Sequence, residues 1–434
     1  MSEAFWQPFT PTGYREQQGY RTIVRGEGLY VEDSAGKRLL DGTAGLWCVA
    51  VGHGRKEIAD AMAKQASQLA YYSSFEYRTE PALALADRIA GLAPGDLNHV
   101  FFTSGGSESV DTMMKIARAY QTRRGQGRRT KILARELAYH GVCYGGTSLS
   151  GLTPMRASFE PLLPQTGRIA HHHCRHCPFG LERETCGLRC AEDLAVRLAQ
   201  EDPSTVCAVV VEPMIGAGGV IGAPDGYLKR LAEICREHDI LLVFDEVVTG
   251  FGRLGNAFAA ERYGVTPDLI TFAKGVTSAY APLGGVIVSD RIHEAFVDAE
   301  AAPAPELPHG FTYSGHPVSC AAAMANLDIM EREGLWSHAR ELEPGFAAAM
   351  HELQGLSQVG EVRAVGLAAA VEYAPDLPVG FARAVSDACY ERGLIVRPVR
   401  ANTNVLSPPL TMQQEHAELL RDVMAEAIQA MAET

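Results

Sequence analysis

Asp245 and Lys274 each end an apolar run, in LLVFD and LITFAK, and stand 29 residues apart. A lysine amine can form a Schiff base with a carbonyl compound, and a carboxylate can hold a protonated ring nitrogen. In an open α/β sheet, ligands bind beyond the carboxyl ends of the strands. Twenty-nine residues suffice for one crossover helix, so both side chains are expected in one crevice. Solvated charges at strand ends are the alternative at this point. A third run, HVFFT, leads into Ser104-Gly105-Gly106-Ser107-Glu108 and then a helical pattern. Free N–H groups at a helix start bind anions, and glycine lets backbone approach a phosphate. An ordinary βα turn capped by Ser107 is the plain alternative.

Amine, carboxylate and phosphate loop together suit pyridoxal phosphate, an aldehyde cofactor with a pyridine ring. The segments DGTAGLWCVAVGHGR, FFTSGGSESVDTM, YHG, VVVEPMIGAGGV, LLVFDEVVTGFGR, DLITFAKG, HGFTYSGHPV and LIVRPVRANTNVLSPPL occur in that order from about residue 20 onward. On these segments the chain resembles the class III aminotransferases of the ω-amino acid:pyruvate type. That resemblance implies fold-type I, a large domain with a mainly parallel seven-stranded sheet plus a smaller α+β domain. It implies that Lys274 forms the Schiff base and moves the proton, and that Asp245 holds the pyridine nitrogen. Val247 and Tyr139 would flank the ring, Gly106 and Ser107 would hold the phosphate, and His140 and Glu212 would lie beside the cofactor. Gly105 stands where relatives commonly have serine. Thr312 would reach the phosphate in a neighbouring subunit, which implies a homodimer, with a pair of dimers open. Trp47 would line the substrate pocket, with Tyr72 and Phe75 as pocket or core aromatics. Arg397 would bind a substrate carboxylate bidentately, with Arg400 as its rival.

The implied reaction moves an amino group from a primary amine or ω-amino acid to a keto acid, pyruvate first, in two half-reactions. An aminomutase or decarboxylase shares the opening step, and a non-catalytic protein of the same fold is a remote alternative. Gly216–Gly222 is glycine-rich after a strand, but Ala223-Pro224-Asp225-Gly226 interrupts it where a dinucleotide loop needs a helix.

The elements that must position these groups alternate between strand and helix. Apolar runs at 99–103, 131–134, 206–211, 240–244, 269–272 and 285–288 read as strands, separated by helical patterns such as 107–123 and 227–238. After about residue 310, long helical stretches dominate. We expect an N-terminal segment over 1–45 packing on the small domain, a cofactor domain over 46–309 and a small domain over 310–434. AAPAPELP at 301–308 reads as an exposed loop.

Composition limits partners. With 39 basic and 52 acidic residues the net charge is −13, which argues against nucleic acid. The basic run Arg123, Arg124, Arg128, Arg129, Lys131 reads as a solvated loop. No run reaches the roughly 18 apolar residues of a membrane span, and MSEAFWQPFTPTGY lacks the pattern of a secretory signal. A cytoplasmic enzyme is the expectation, with most of its ten cysteines reduced. Four of them form Cys174-x2-Cys177 and Cys186-x3-Cys190, eight residues apart, beside four histidines. The connecting arm is shorter than usual for zinc, so reduced thiols or a loop disulfide lead, and no metal is expected in the catalytic site.

Overall fold

Alternate residues of the central strands face opposite cores. Val209, Val211, Leu242, Phe244, Ile270 and Phe272 enter one apolar cluster, while Ala208, Val210, Leu241, Val243 and Leu269 enter another. This two-residue period, apolar on both faces, produces a sheet sandwiched between helices. The computed structural model describes residues 4–297 and 307–432, so most of the expected 301–308 loop lies outside the described residues.

The sheet has seven strands: β1 (His99–Thr103), β2 (Lys131–Arg135), β3 (Thr166–Ile169), β4 (Val206–Val211), β5 (Leu241–Asp245), β6 (Leu269–Phe272) and β7 (Gly284–Val288). Their order is β1-β7-β6-β5-β4-β2-β3. Strands β2 to β6 pair in parallel, and β7 runs antiparallel to both β6 and β1. Six of the seven correspond to the expected apolar runs. The seventh, β3, lies at the sheet edge, where Thr166, Gly167 and Arg168 are half-buried. An edge strand needs no continuous apolar run, so periodicity does not reveal it.

The helix Gly106–Arg123 packs on β6 and β7, and Tyr227–Glu237 packs on β5. Pro317–Arg332 packs on Lys56–Gln68 and Glu80–Leu92. A four-stranded antiparallel sheet follows, ordered Val359–Val365, Ala368–Tyr373, Thr403–Leu406, Arg397–Val399. The N-terminal strands Ile23–Glu27, Tyr30–Asp33 and Arg38–Asp41 form another sheet, whose last strand pairs in parallel with Leu394–Ile395. No helix among the described residues is long and apolar enough to cross a membrane.

Candidate active site

Strand β5 ends on Asp245, which is 5% exposed, and register pairs it with Thr271 of β6. Thr271 Oγ1 donates to Asp245 Oδ1 at 3.0 Å, and the Val247 N–H donates to the same oxygen at 3.2 Å. The other oxygen meets His140 Nδ1 at 2.7 Å. Burial opposes the Asp245 charge. The His140 hydrogen bond and charge, the Val247 N–H and the Lys274 ammonium outweigh it and hold the carboxyl below its ordinary range. A buried anion with this support can keep a ring nitrogen protonated.

Lys274 follows β6 by two residues and starts a short 3₁₀ turn. Its φ is +46°, a left-handed conformation that costs a side-chain-bearing residue free energy. Asn326 Nδ2, from the helix Pro317–Arg332, donates at 2.9 Å to the carbonyls of both Gly275 and Val276 and fixes the turn. Lys274 is half-buried. Desolvation lowers its pKa, Arg397 acts in the same direction, and Cys48, Asp245 and Glu212 oppose them. Charge coupling with Asp245 runs both ways, so the two groups lie close enough for their charges to interact.

The loop before Gly106–Arg123 has no side-chain cap, leaving N–H groups of the first turn free for an anion. A Cβ at Gly106 would stand 2.8 Å from Val247 Cγ1, so glycine is what lets Val247 and this loop meet. Ser107 Oγ accepts from the Val142 N–H at 3.0 Å and keeps its own proton to donate. Glu212 is buried; desolvation raises its pKa, and Oε1 and Oε2 accept from the N–H groups of Tyr139 (3.1 Å) and Gly216 (2.9 Å). It therefore positions the Tyr139–His140 backbone.

Arg397 is half-buried and close enough to Tyr139 for their charges to interact. Among the described residues no carboxylate lies within ion-pair distance of its guanidinium, and desolvation lowers its pKa. Arg400 is exposed, and its charge acts on His171 instead. The donor set thus fits a phosphate-bearing pyridine aldehyde: amine, buried carboxylate, and a helix start with free N–H groups whose glycine meets Val247.

Comparison with known proteins agrees with that chemistry. The family model described as Aminotransferase class-III matches residues 13–428. An omega-aminotransferase of Caulobacter vibrioides is 43% identical, over 96% of this chain and 95% of its own. A beta-alanine–pyruvate aminotransferase of Pseudomonas aeruginosa is 42% identical, over 99% of this chain and 96% of its own. An amine transaminase from an uncultivated Pseudomonas species, solved in its pyridoxal phosphate-bound form, superposes with a TM-score of 0.93 at 36% identity, covering 99% and 98%.

The chain belongs to the class III aminotransferases. It is a pyridoxal phosphate-dependent transaminase of fold-type I, so the aminomutase, decarboxylase and non-catalytic readings fall away.

In this aminotransferase the aromatic residues divide unexpectedly. Trp47 is 7% exposed and packs with Met214, Val220, Leu254 and Val405. Tyr72 and Phe75 are 46% and 55% exposed, so neither is a core residue of the single chain. Thr312 is exposed, and its carbonyl accepts from Tyr71 Oη at 2.7 Å. The basic run is tied down: Arg124 pairs with Asp239 at 2.8 Å, Lys131 with Glu201, and Arg129 donates to the Val206 carbonyl at 3.0 Å.

Three contributors escaped the sequence reading. Thr271 and Asn326 support Asp245 and the Lys274 turn, but from another strand and a distant helix. Cys48 lies close enough to Lys274 for their charges to interact. Its place beside Trp47 was the one available signal.

Proposed function

We propose that this transaminase moves an amino group from a primary amine or ω-amino acid to pyruvate, within a homodimer. The observation that carries the reading is the guanidinium of Arg397, unpaired among the described residues and beside Tyr139 in the cleft of Lys274. When bound, pyridoxal phosphate supplies an aldehyde for the amine and a ring that takes up the electron pair left by proton loss.

The chain's own residues do the rest. Lys274 would tether the cofactor and, with its amine free, would hold and move the proton at the substrate carbon. Its pKa, lowered by burial, makes the neutral amine needed for that task easier to reach. Asp245 holds the ring nitrogen and is itself oriented by His140 and Thr271. Val247 and Tyr139 close on the ring faces, and Glu212 fixes the Tyr139 backbone. Gly106 and Ser107 hold the phosphate, and Trp47 shapes the pocket from behind. Arg397 takes a substrate carboxylate bidentately, and turning aside leaves room for an amine that has none.

The acceptor reading is supported by the name of the Pseudomonas aeruginosa relative, a beta-alanine–pyruvate aminotransferase. The dimer is supported by exposed aromatics: Tyr72 and Tyr77 in edge contact at 5.0 Å, Phe75, and Tyr313 next to exposed Thr312. Ten unpaired thiols support a cytoplasmic, reducing location. The test is Arg397→Leu. Losing a bidentate charged pair should raise the KM for pyruvate about tenfold or more, with the half-reaction of a carboxylate-free amine unchanged. An unchanged KM in Arg397→Leu, with the rise appearing in Arg400→Leu, contradicts the assignment.

A further inference from the structure

The segment 171–190, HHHCRHCPFGLERETCGLRC, takes no part in the reaction derived above. Through Leu188 it contains only turns, bends and irregular chain. Such long irregular stretches are uncommon in compact domains without a function or a staple. Its start is firmly anchored. His172 Nδ1 meets Arg135 Nη1 at 3.0 Å, and His173 and His176 meet the carboxylates of Glu361 and Glu372. Beyond that point, among the described residues, the hydrogen bonds of residues 177–188 stay within the segment or the first turn of the helix Arg189–Glu201. Most side chains there are exposed, so burial does not hold this half in place.

The segment carries four cysteines. Cys174, Cys177, Cys186 and Cys190 all line one cavity of about 170 Å³, together with Arg183 and Arg189. None is in a disulfide. The Cys174 thiol is close enough to Cys177 and Cys186 for their charges to interact, and Cys190 likewise to Cys174 and Cys186. We propose that these four cysteines bind one zinc ion, which staples the segment to the helix that begins at Arg189.

The chemistry fits a tetrathiolate site. The Cys-x2-Cys and Cys-x3-Cys pairs each form a short chelate, and zinc accepts four thiolates tetrahedrally at about 2.3 Å. Four thiolates around a divalent ion leave two negative charges, which Arg183 and Arg189 are placed to offset. A bound divalent cation takes the four sulfurs as thiolates, and binding releases their protons. No three of these sulfurs lie within 4.8 Å of one another, so binding one ion requires the loop 177–188 to draw in. Among the described residues, the one closely convergent donor set is His173, His176 and Glu372. Arg363 Nη1 already pairs with Glu372 Oε2 at 2.8 Å and with Glu361, so a cation occupies that position and the histidines act as the anchor.

The staple also has a route toward the catalytic cleft. His172 meets Arg135, Arg135 Nη2 donates to the Glu212 carbonyl, and the Glu212 side chain holds the Tyr139 N–H.

Metal analysis of the full-length holoenzyme, purified under reducing conditions from zinc-supplemented cells, tests the proposal. We expect about one zinc per chain, and an intense cobalt–thiolate absorption when Co²⁺ replaces it. In Cys174→Ser and Cys186→Ser the zinc content should fall about tenfold with the cofactor absorption retained, whereas His176→Ala should keep its zinc. Titration of the wild type with a mercurial should release zinc in step with thiol loss, which serves if the serine variants do not fold. Less than about a tenth of a zinc per chain with no cobalt–thiolate band overturns the proposal. So do iron and sulfide in place of zinc, disulfides among the four cysteines in the reduced preparation, or zinc that survives in both serine variants and leaves in His176→Ala.

Discussion

Asp245 keeps its negative charge where burial opposes it, and neighbours supply the difference. His140, Thr271 and the Val247 N–H all point at its two oxygens. Its folded pKa is depressed, so this carboxylate's contribution to stability is present above its unfolded pKa and is lost as pH falls through the folded value. The group is therefore ionised throughout the neutral range and contributes no titration step to activity there. Asp245→Asn should lower turnover about 100-fold or more, by a factor that stays flat from about pH 6 to 9. A pH–rate series on both proteins measures this, and a loss that varied steeply with pH would assign the titration to Asp245 after all. Asp245 and Lys274 were legible in the sequence because each stands at the carboxyl end of an apolar strand. Thr271, Asn326 and Cys48 were not, because what matters about them is adjacency in space, and their types occur at many unrelated positions.

At the scale of elements, the loop proposed to hold the phosphate is defined by what it lacks. The helix Gly106–Arg123 starts without a side-chain cap, and Gly106 has no Cβ to meet Val247. Gly106→Ala puts an atom 2.8 Å from Val247 Cγ1. Valine is stiff at χ1 and cannot turn aside easily, so loop and ring wall must separate. Overpacking of this kind costs about 1–3 kcal/mol, which predicts pyridoxal phosphate affinity weaker by about tenfold or more. Equilibrium titration of the apoenzyme reads it, and unchanged affinity would mean that the phosphate sits elsewhere. The strands show the same division between what sequence reveals and what it hides. Strands β4 to β7, buried on both faces, announce themselves as unbroken apolar runs. Edge strand β3 has half-buried polar and glycine positions and is set by its pairing with β2.

For the whole molecule, the change to long helical stretches suggested a division near residue 310, and contacts tie the two sides together. The helix Pro317–Arg332 packs against Lys56–Gln68 and Glu80–Leu92 and sends Asn326 beneath the Lys274 turn. Arg253, from the glycine-rich stretch after β5, donates to the carbonyls of Leu367 and Pro408 at 2.9 and 2.5 Å. Exposed Tyr72, Phe75, Tyr77 and Tyr313 beside Thr312 are costly to leave in water, and a second copy of the chain would cover them. Sedimentation should give twice the 46.8 kDa chain mass. Thr312→Ala should keep that mass and still bind pyridoxal phosphate about tenfold more weakly, as expected for one hydrogen bond to a charged group. A monomer with full affinity would place the whole site in one chain.

The central claim is that Lys274 both tethers the cofactor and moves the proton. The most direct measurement is the visible spectrum of the purified protein while an amine donor, and then pyruvate, is added. The wild type should show the band of lysine-bound cofactor, lose it with amine alone and regain it with pyruvate, and Lys274→Ala should show neither the band nor turnover. A band indifferent to amine, or a Lys274→Ala protein that turns over like the wild type, would contradict the account.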